Sequence, residues 1–186
     1  PCAPEGQEQG NERHSLPGLC SDSRDPGEGD GTLEEMERRM HFTGAPGLSG
    51  GAHDRVKYLM DNTQGLYEAL EEDFYTAPAL QPAMPWIDNV APTPPSGLTV
   101  ETPENGYWKL SWQPATDNDK RNAPMYVIYG SDTYPVDTTN PANHLEQRVQ
   151  GTEYTYAPIR PWTARKYFAV TAIDRCGNES EAIQQQ

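Results

Sequence analysis

The sequence predicts a mainly β protein: a β-sandwich fills the C-terminal half, preceded by a small helical and irregular segment and a disordered N-terminus. Three observations predict it. Tyr107-Trp108-Lys109-Leu110-Ser111-Trp112 alternates, with Trp108, Leu110 and Trp112 on one parity and Tyr107, Lys109 and Ser111 on the other. A period of two is the mark of a half-buried strand. Beyond Pro95, further apolar runs recur at short, turn-punctuated intervals. Finally, only 34% of the chain is hydrophobic, with 18 prolines and 16 glycines. Globular chains run at ~45–50% with glycine counted, so a packed core fits over only part of this one.

Residues 1–31 are polar, rich in Gly, Pro and Glu, and carry no helical or strand period. Such a stretch cannot bury enough surface to offset its conformational entropy, and disorder is expected. The acids between Asp22 and Asp30 lack the alternate spacing and sixth-place glycine of a calcium loop. Thr32-Leu33-Glu34-Glu35 has capping-box form and opens a short helix to about His41, with Leu33, Met36 and Met40 on one face. Glycines and Pro46 between Gly44 and Gly51 end it. Val56–Met60 reads as a short strand or as the entry to a second helix over 63–74, capped from Asp61-Asn62-Thr63-Gln64. Its apolar stripe is Leu66, Tyr67, Leu70 and Phe74, and no other segment obviously covers it.

From Tyr75 to Asp88 prolines separate apolar residues. That spacing excludes a regular helix or a central strand and suits an extended strap lying across another surface. Met84, Trp86 and Ile87 are its expected anchors. Trp86 and, further on, Trp162 are also the candidate sugar-stacking residues. Ala91-Pro92-Thr93-Pro94-Pro95 is a stiff linker, so the expected organisation is 1–31 disordered, 32–92 helices and strap, and 93–186 sandwich.

Strands are expected at 97–101, 106–113, 125–131, 145–149, 152–157, 165–173 and 178–184. Seven short strands in roughly ninety residues fit an immunoglobulin-like sandwich. The expected core is Leu98, Val100, Leu110, Trp112, Tyr126, Ile128, Phe168, Val170 and Ala172.

The formal charge of −14 argues against binding to a nucleic-acid backbone or an anionic membrane surface. An acidic, solvated surface that keeps a secreted protein soluble accounts for it. No run approaches the ~20 apolar residues of a membrane span. The cysteines, Cys2, Cys20 and Cys176, have no zinc spacing; Cys2 with Cys20 is a conceivable pair, and Cys176 reads as a free thiol in a turn. Neither a metal nor another cofactor is expected. Glu71-Glu72-Asp73 reads as a solvated helix end rather than a pair of catalytic carboxylates. Asp117-Asn118-Asp119 reads as a turn closed by its own side chains rather than a calcium site. His14, His41, His53 and His144 form no catalytic order with a serine and an acid, and Asn178-Glu179-Ser180 is a formal glycosylation sequon.

Pro94-Pro95 leading into Leu98, Leu110-x-Trp112, Tyr126-Val127-Ile128-Tyr129-Gly130, and Phe168 to Asp174 followed by Gly177-Asn178-Glu179-Ser180 resemble a fibronectin type III domain over 93–186. Lys166 stands where that family's corner tyrosine is expected, beside Tyr167. Upstream, Val56-Lys57-Tyr58-Leu59, Asp61-Asn62, Gly65 to Leu70, Phe74-Tyr75 and Pro78 to Asp88 resemble the tail of glycosyl-hydrolase-like, family-10-like lipoproteins of Bacteroidota. There a (β/α)8 barrel is followed by a strap and a fibronectin type III domain.

The resemblance implies that 32–92 is a barrel-tail remnant and that the chain is a C-terminal fragment of a secreted glycoside hydrolase. Its partner would be the barrel domain or a polysaccharide, and its location extracellular, periplasmic or attached to the cell surface. Residues 1–51 do not match the preceding barrel segment, as in a truncated or frame-disrupted version, and the chain opens at Pro1 without methionine. Barrel enzymes carry their acid and base at strand ends, so no catalytic residue is assigned and the module is expected to be accessory. The alternative is a stand-alone carbohydrate- or protein-binding module. Orphaned stripe and strap speak for the first, and stripe and strap folded back onto the sandwich for the second.

Overall fold

The computed structural model describes residues 16, 18–20, 32–43, 48, 50–54, 56–101, 106–120, 122–158 and 164–185. The chain divides into two compact units, Pro1–Thr76 and Ala77–Gln186. The division falls at the start of the strap, between Thr76 and Ala77, and not after it at the proline linker.

In the first unit β1 (Gly18–Cys20) lies inside the stretch expected to be disordered; the rest of 1–31, apart from Leu16, lies outside the described residues. Strand β1 pairs in parallel with β2 (Ala52–Asp54), and α1 (Leu33–Thr43) lies between them in sequence. Thr32 Oγ1 accepts from the Glu35 amide at 3.2 Å, which is the forward half of the capping box. The Glu35 carboxylate turns instead to Arg38 and Arg39, and those hydrogen bonds hold its pKa down at about 2.

Val56–Met60 is helical, α2. The second helix breaks early, because Gln64 and Gly65 have φ of 56° and 77°. Its regular part, α3 (Leu66–Ala69), begins where Asn62 Oδ1 accepts from the Tyr67 amide at 2.9 Å, and a wider turn, Leu70–Phe74, continues it. Leu66 and Leu70 are buried with Leu19, Met36, Met40 and Tyr58. The stripe that looked uncovered is therefore covered by α1, α2 and β1, while Tyr67 turns out to solvent at 53% exposure.

Among the described residues the second unit holds seven strands in two antiparallel sheets. The three-stranded sheet has the order β3 (Ser96–Glu101), β4 (Trp108–Gln113), β7 (Glu153–Tyr156). The four-stranded sheet has the order β6 (His144–Val149), β5 (Met125–Ser131), β8 (Tyr167–Ile173), β9 (Ile183–Gln184). The parity of β4 is as expected: Leu110 and Trp112 are buried, and Lys109 and Gln113 are exposed.

Between the sheets, Trp112 meets Tyr126 at 5.2 Å, and Trp108 and Tyr156 each meet Phe168 at 5.5 Å, all in inclined geometries favoured by ring quadrupoles. Ile128, Val170 and Ala172 complete this core, with Leu98 and Val100 at its margin. The Tyr126 hydroxyl accepts from the Ala115 amide at 2.9 Å, so its polar end is satisfied while its ring is buried. The Trp112 indole N–H is buried without a hydrogen-bond partner, so this residue contributes by packing alone.

Trp112→Ala should therefore remove one side of the aromatic seam and cost ~3–5 kcal/mol. Urea unfolding followed by circular dichroism checks this; a loss below about 1 kcal/mol would show that the seam does not hold the sheets together.

Candidate functional site

The four-stranded sheet is apolar on both faces. Tyr126, Ile128, Phe168 and Val170 face the three-stranded sheet, while Val127, Tyr129, Ala169 and Ile173 face the other way and are also buried. Val136 after β5, Ala182 before β9 and Leu80 of the strap pack on that outer face.

The strap is held there largely through its backbone. The Met84 amide donates to the Cys176 carbonyl at 2.7 Å, and Asn178 Nδ2 donates to the Asp88 carbonyl at 2.9 Å. His144 Nδ1 lies 3.0 Å from the Pro78 carbonyl oxygen, which can only accept, placing the proton on Nδ1. Further along, the Thr93 amide donates to the Thr116 carbonyl, and the Thr116 amide donates back to Thr93 Oγ1, both at 2.8 Å.

The turn beneath the strap requires glycine. Gly177 has φ of 81°, and a Cβ there would lie 2.9 Å from the carbonyl oxygens of both Gln81 and Pro82. Asp174, 5% exposed, shapes this turn: its Oδ1 accepts from the Cys176 and Asn178 amides, and its Oδ2 accepts from Asn178 Nδ2. Asn178 is thus engaged at its amide nitrogen, which accounts for the sequon structurally. Cys176 is 3% exposed and carries a free thiol.

Along the same seam Tyr129 and Thr171 both donate to Glu179 Oε1. Burial, reinforced by the Glu179 carboxylate, pushes the Tyr129 phenol well above its usual pKa.

A recess of about 170 Å3 opens where strap, β5, β6 and the turn after β8 meet. Its lining includes apolar Leu80, Met125 and Val127 and polar or cationic Gln81, Arg148 and Arg175. Arg148 has φ of 64°, unusual for a non-glycine residue. It follows irregular β5–β6 pairing, where the register shifts between Tyr126 and Ile128. Its Nη2 donates to Gln81 Oε1 at 2.6 Å. Sequence reasoning missed this place, because its residues come from four separated segments.

The residues singled out from sequence do not gather. Trp86 lies in the turn at the far end of the strap, 39% exposed, with Ile87 beside it at 58%. Neither is an anchor as expected, and Met84, the third expected anchor, is half-buried; half-buried Leu80 is the strap residue packed on the outer face. Trp162, His14 and Cys2 lie outside the described residues, as does the Cys20 side chain. Glu71, Glu72 and Asp73 are exposed. The Asp117–Asp119 loop closes on itself: the Asn118 amide donates to Asp117 Oδ1 at 2.7 Å, and Asn122 Nδ2 donates to Asp119 Oδ2 at 3.0 Å. Among the described residues no cluster of His, Cys, Asp and Glu is placed to hold a metal ion.

His41 stacks edge-on against Phe74 at 5.1 Å. His53 pairs with the Tyr75 hydroxyl at 2.8 Å, and burial lowers its pKa. No helix among the described residues is long and apolar enough to cross a membrane.

The chain is thus mainly β, with a strap-bound sheet pair, and its relation is to a glycosyl hydrolase. It is 32% identical over 139 residues to a protein of Bacillus subtilis (strain 168) called Glycosyl hydrolase YngK, an alignment covering 73% of this chain and 26% of that protein. The chain spans about a quarter of the length of the curated relative it matches. No family model matches it.

The Tyr129 site gives a pH prediction. An unfolded tyrosine releases its proton near pH 10, whereas buried Tyr129 keeps its proton to higher pH. Above about pH 10 the unfolded chain binds fewer protons than the folded one, so stability falls as pH rises. Urea midpoints between about pH 9 and 11 should decline, and Tyr129→Phe should make that decline shallower. An equal slope in both proteins would show that Tyr129 is not held protonated by the fold.

Proposed function

We propose that this chain is the C-terminal part of a larger secreted glycoside hydrolase, and that its β unit is an accessory module of the fibronectin type III kind without a catalytic site. The observation that carries the reading is the parallel β1–β2 pair with α1 between its strands. This is a βαβ unit, the repeating element of (β/α)8 barrels. Two three-residue parallel strands are too few to be stable by themselves, and parallel sheets ordinarily have further strands beside them and helices over both faces. A barrel-tail remnant, placed by resemblance at 32–92, accounts for such a fragment and extends it back to Gly18.

The relation to Glycosyl hydrolase YngK over about a quarter of that protein supports the same origin. The division into three and four antiparallel strands, in the order observed, supports the fibronectin type III reading. In this reading the whole protein is extracellular, periplasmic or attached to the cell surface, and its barrel performs the cleavage. Glycoside cleavage needs two carboxyl groups roughly 5 to 9.5 Å apart across a sugar-holding cleft. Glu71, Glu72 and Asp73, the densest acidic run among the described residues, stand on an exposed helix end.

One observation favours the second reading, a stand-alone carbohydrate- or protein-binding module. The strap lies hydrogen-bonded on its own sheet unit, as that reading expects, while the helical stripe is covered within its own unit by α1, α2 and β1. Trp86, exposed at the strap's turn, and Trp162 are the sugar-stacking candidates in that case.

Assay of the purified chain against polysaccharides and aryl-glycosides should give no turnover. Hydrolysis that survives repurification and is lost on mutating an acid of this chain would overturn the accessory reading. Saturable binding to an insoluble polysaccharide without hydrolysis would favour the second.

A further inference from the structure

We infer that the recess between strap and sheet is a binding site for a single neutral sugar ring, taken from a chain end or as a free monosaccharide. The inference rests on reading the β unit as part of a sugar-handling protein, and adds the site and the ligand class.

The chemistry of the walls sets the class. The lining is mixed: Leu80 and Met125 are apolar, with Val127 wholly buried behind them, and Gln81, Arg148 and Arg175 are polar or cationic. A pyranose is mixed in the same way, with C–H groups and a rim of hydroxyls that both donate and accept. A guanidinium supplies five N–H donors, so Arg148, with Nη2 committed to Gln81, keeps others for a sugar oxygen.

Charge argues for a neutral ring over an acidic one. Arg175 Nε lies 3.4 Å from Asp119 Oδ2, and the Asp174 carboxylate also lines the recess. Two cations face two carboxylates, in a chain of net charge −14. Nothing there favours an added anion. Asp174 itself cannot serve the ligand freely, since both its oxygens accept from Cys176 and Asn178.

Size limits the ligand to one ring. About 170 Å3 is well below the roughly 300–1,000 Å3 of sites for drug-sized molecules. The backbone around it is specifically built. Arg148 sits at left-handed φ after irregular pairing, an arrangement that re-aims a side chain and is over-represented beside functional sites. Gly177 lets the strap backbone close the recess from the other side.

The test uses the full chain, with D-glucose, D-galactose, D-mannose and D-xylose each titrated by saturation-transfer NMR and calorimetry. At least one should bind saturably. Gln81→Ala and Arg175→Ala should each weaken it about tenfold or more, the loss of one good polar contact. Circular dichroism and melting of the variants guard against a folding defect, and Arg175→Lys, which keeps charge without the planar fork, should recover little.

Absence of binding by all four sugars, or binding indifferent to Gln81→Ala and Arg175→Ala, would overturn the assignment. Polysaccharide binding that persists in both variants would overturn the recess while leaving the binding-module reading in place.

Discussion

The structure of the β unit depends on one constraint: its four-stranded sheet is hydrophobic on both faces and must be covered twice. Each fully buried Val, Ile or Phe contributes roughly 1.5–3 kcal/mol relative to exposure. Val127, Tyr129 and Ala169 are wholly buried on the outer face. Left to water, that face would be an adhesive patch on a small domain. The three-stranded sheet covers the inner face; Leu80 of the strap, Val136 and Ala182 cover the outer one. The Gly177 turn, the Asp174 cap and the Glu179 hydroxyl network all sit along the line where this second cover meets the sheet. The strap is therefore part of the domain's core and not a tether leading to it.

This changes what the strap can do in a larger protein. A segment whose carbonyls at Pro78 and Asp88 are bound to His144 and Asn178 is committed to the β unit. Prolines within it serve that role well. They remove amides that have no acceptor to meet and lower the entropy lost when an extended segment is laid down. Where Met84 does offer an amide, the turn supplies the Cys176 carbonyl.

Much of the β unit was legible from local pattern. The alternation around Trp108–Trp112 gave the parity of β4, and Met125–Ser131 was expected at the limits it has. The second cover was less legible. Tyr126 to Tyr129 and Phe168 to Ile173 are apolar on both parities, with Thr171 the one polar residue. That is the signature of a strand buried on two sides, and it was the available clue that the strap folds back. The helical stripe was misjudged for a related reason: its cover includes Leu19, inside a stretch whose composition speaks for disorder. One buried leucine on a three-residue strand carries no periodic signal. The break at Gln64–Gly65 was missed although Gly65, with φ of 77°, is the residue that ordinarily marks such a break; left-handed φ at the exposed Gln64 beside it has no sequence signal. The recess was beyond sequence reasoning, because strap, irregularly paired strands and turn are joined only by tertiary contact.

The central claim is that strap and sheets form one cooperative unit, and native-state hydrogen exchange at the Met84 amide tests it most directly. The account predicts that this amide, donated to the Cys176 carbonyl, opens with a free energy close to that of the β5 amides, because releasing it exposes the outer face. Exchange at Met84 near the rate of an unstructured loop, while β5 stays protected, would contradict it.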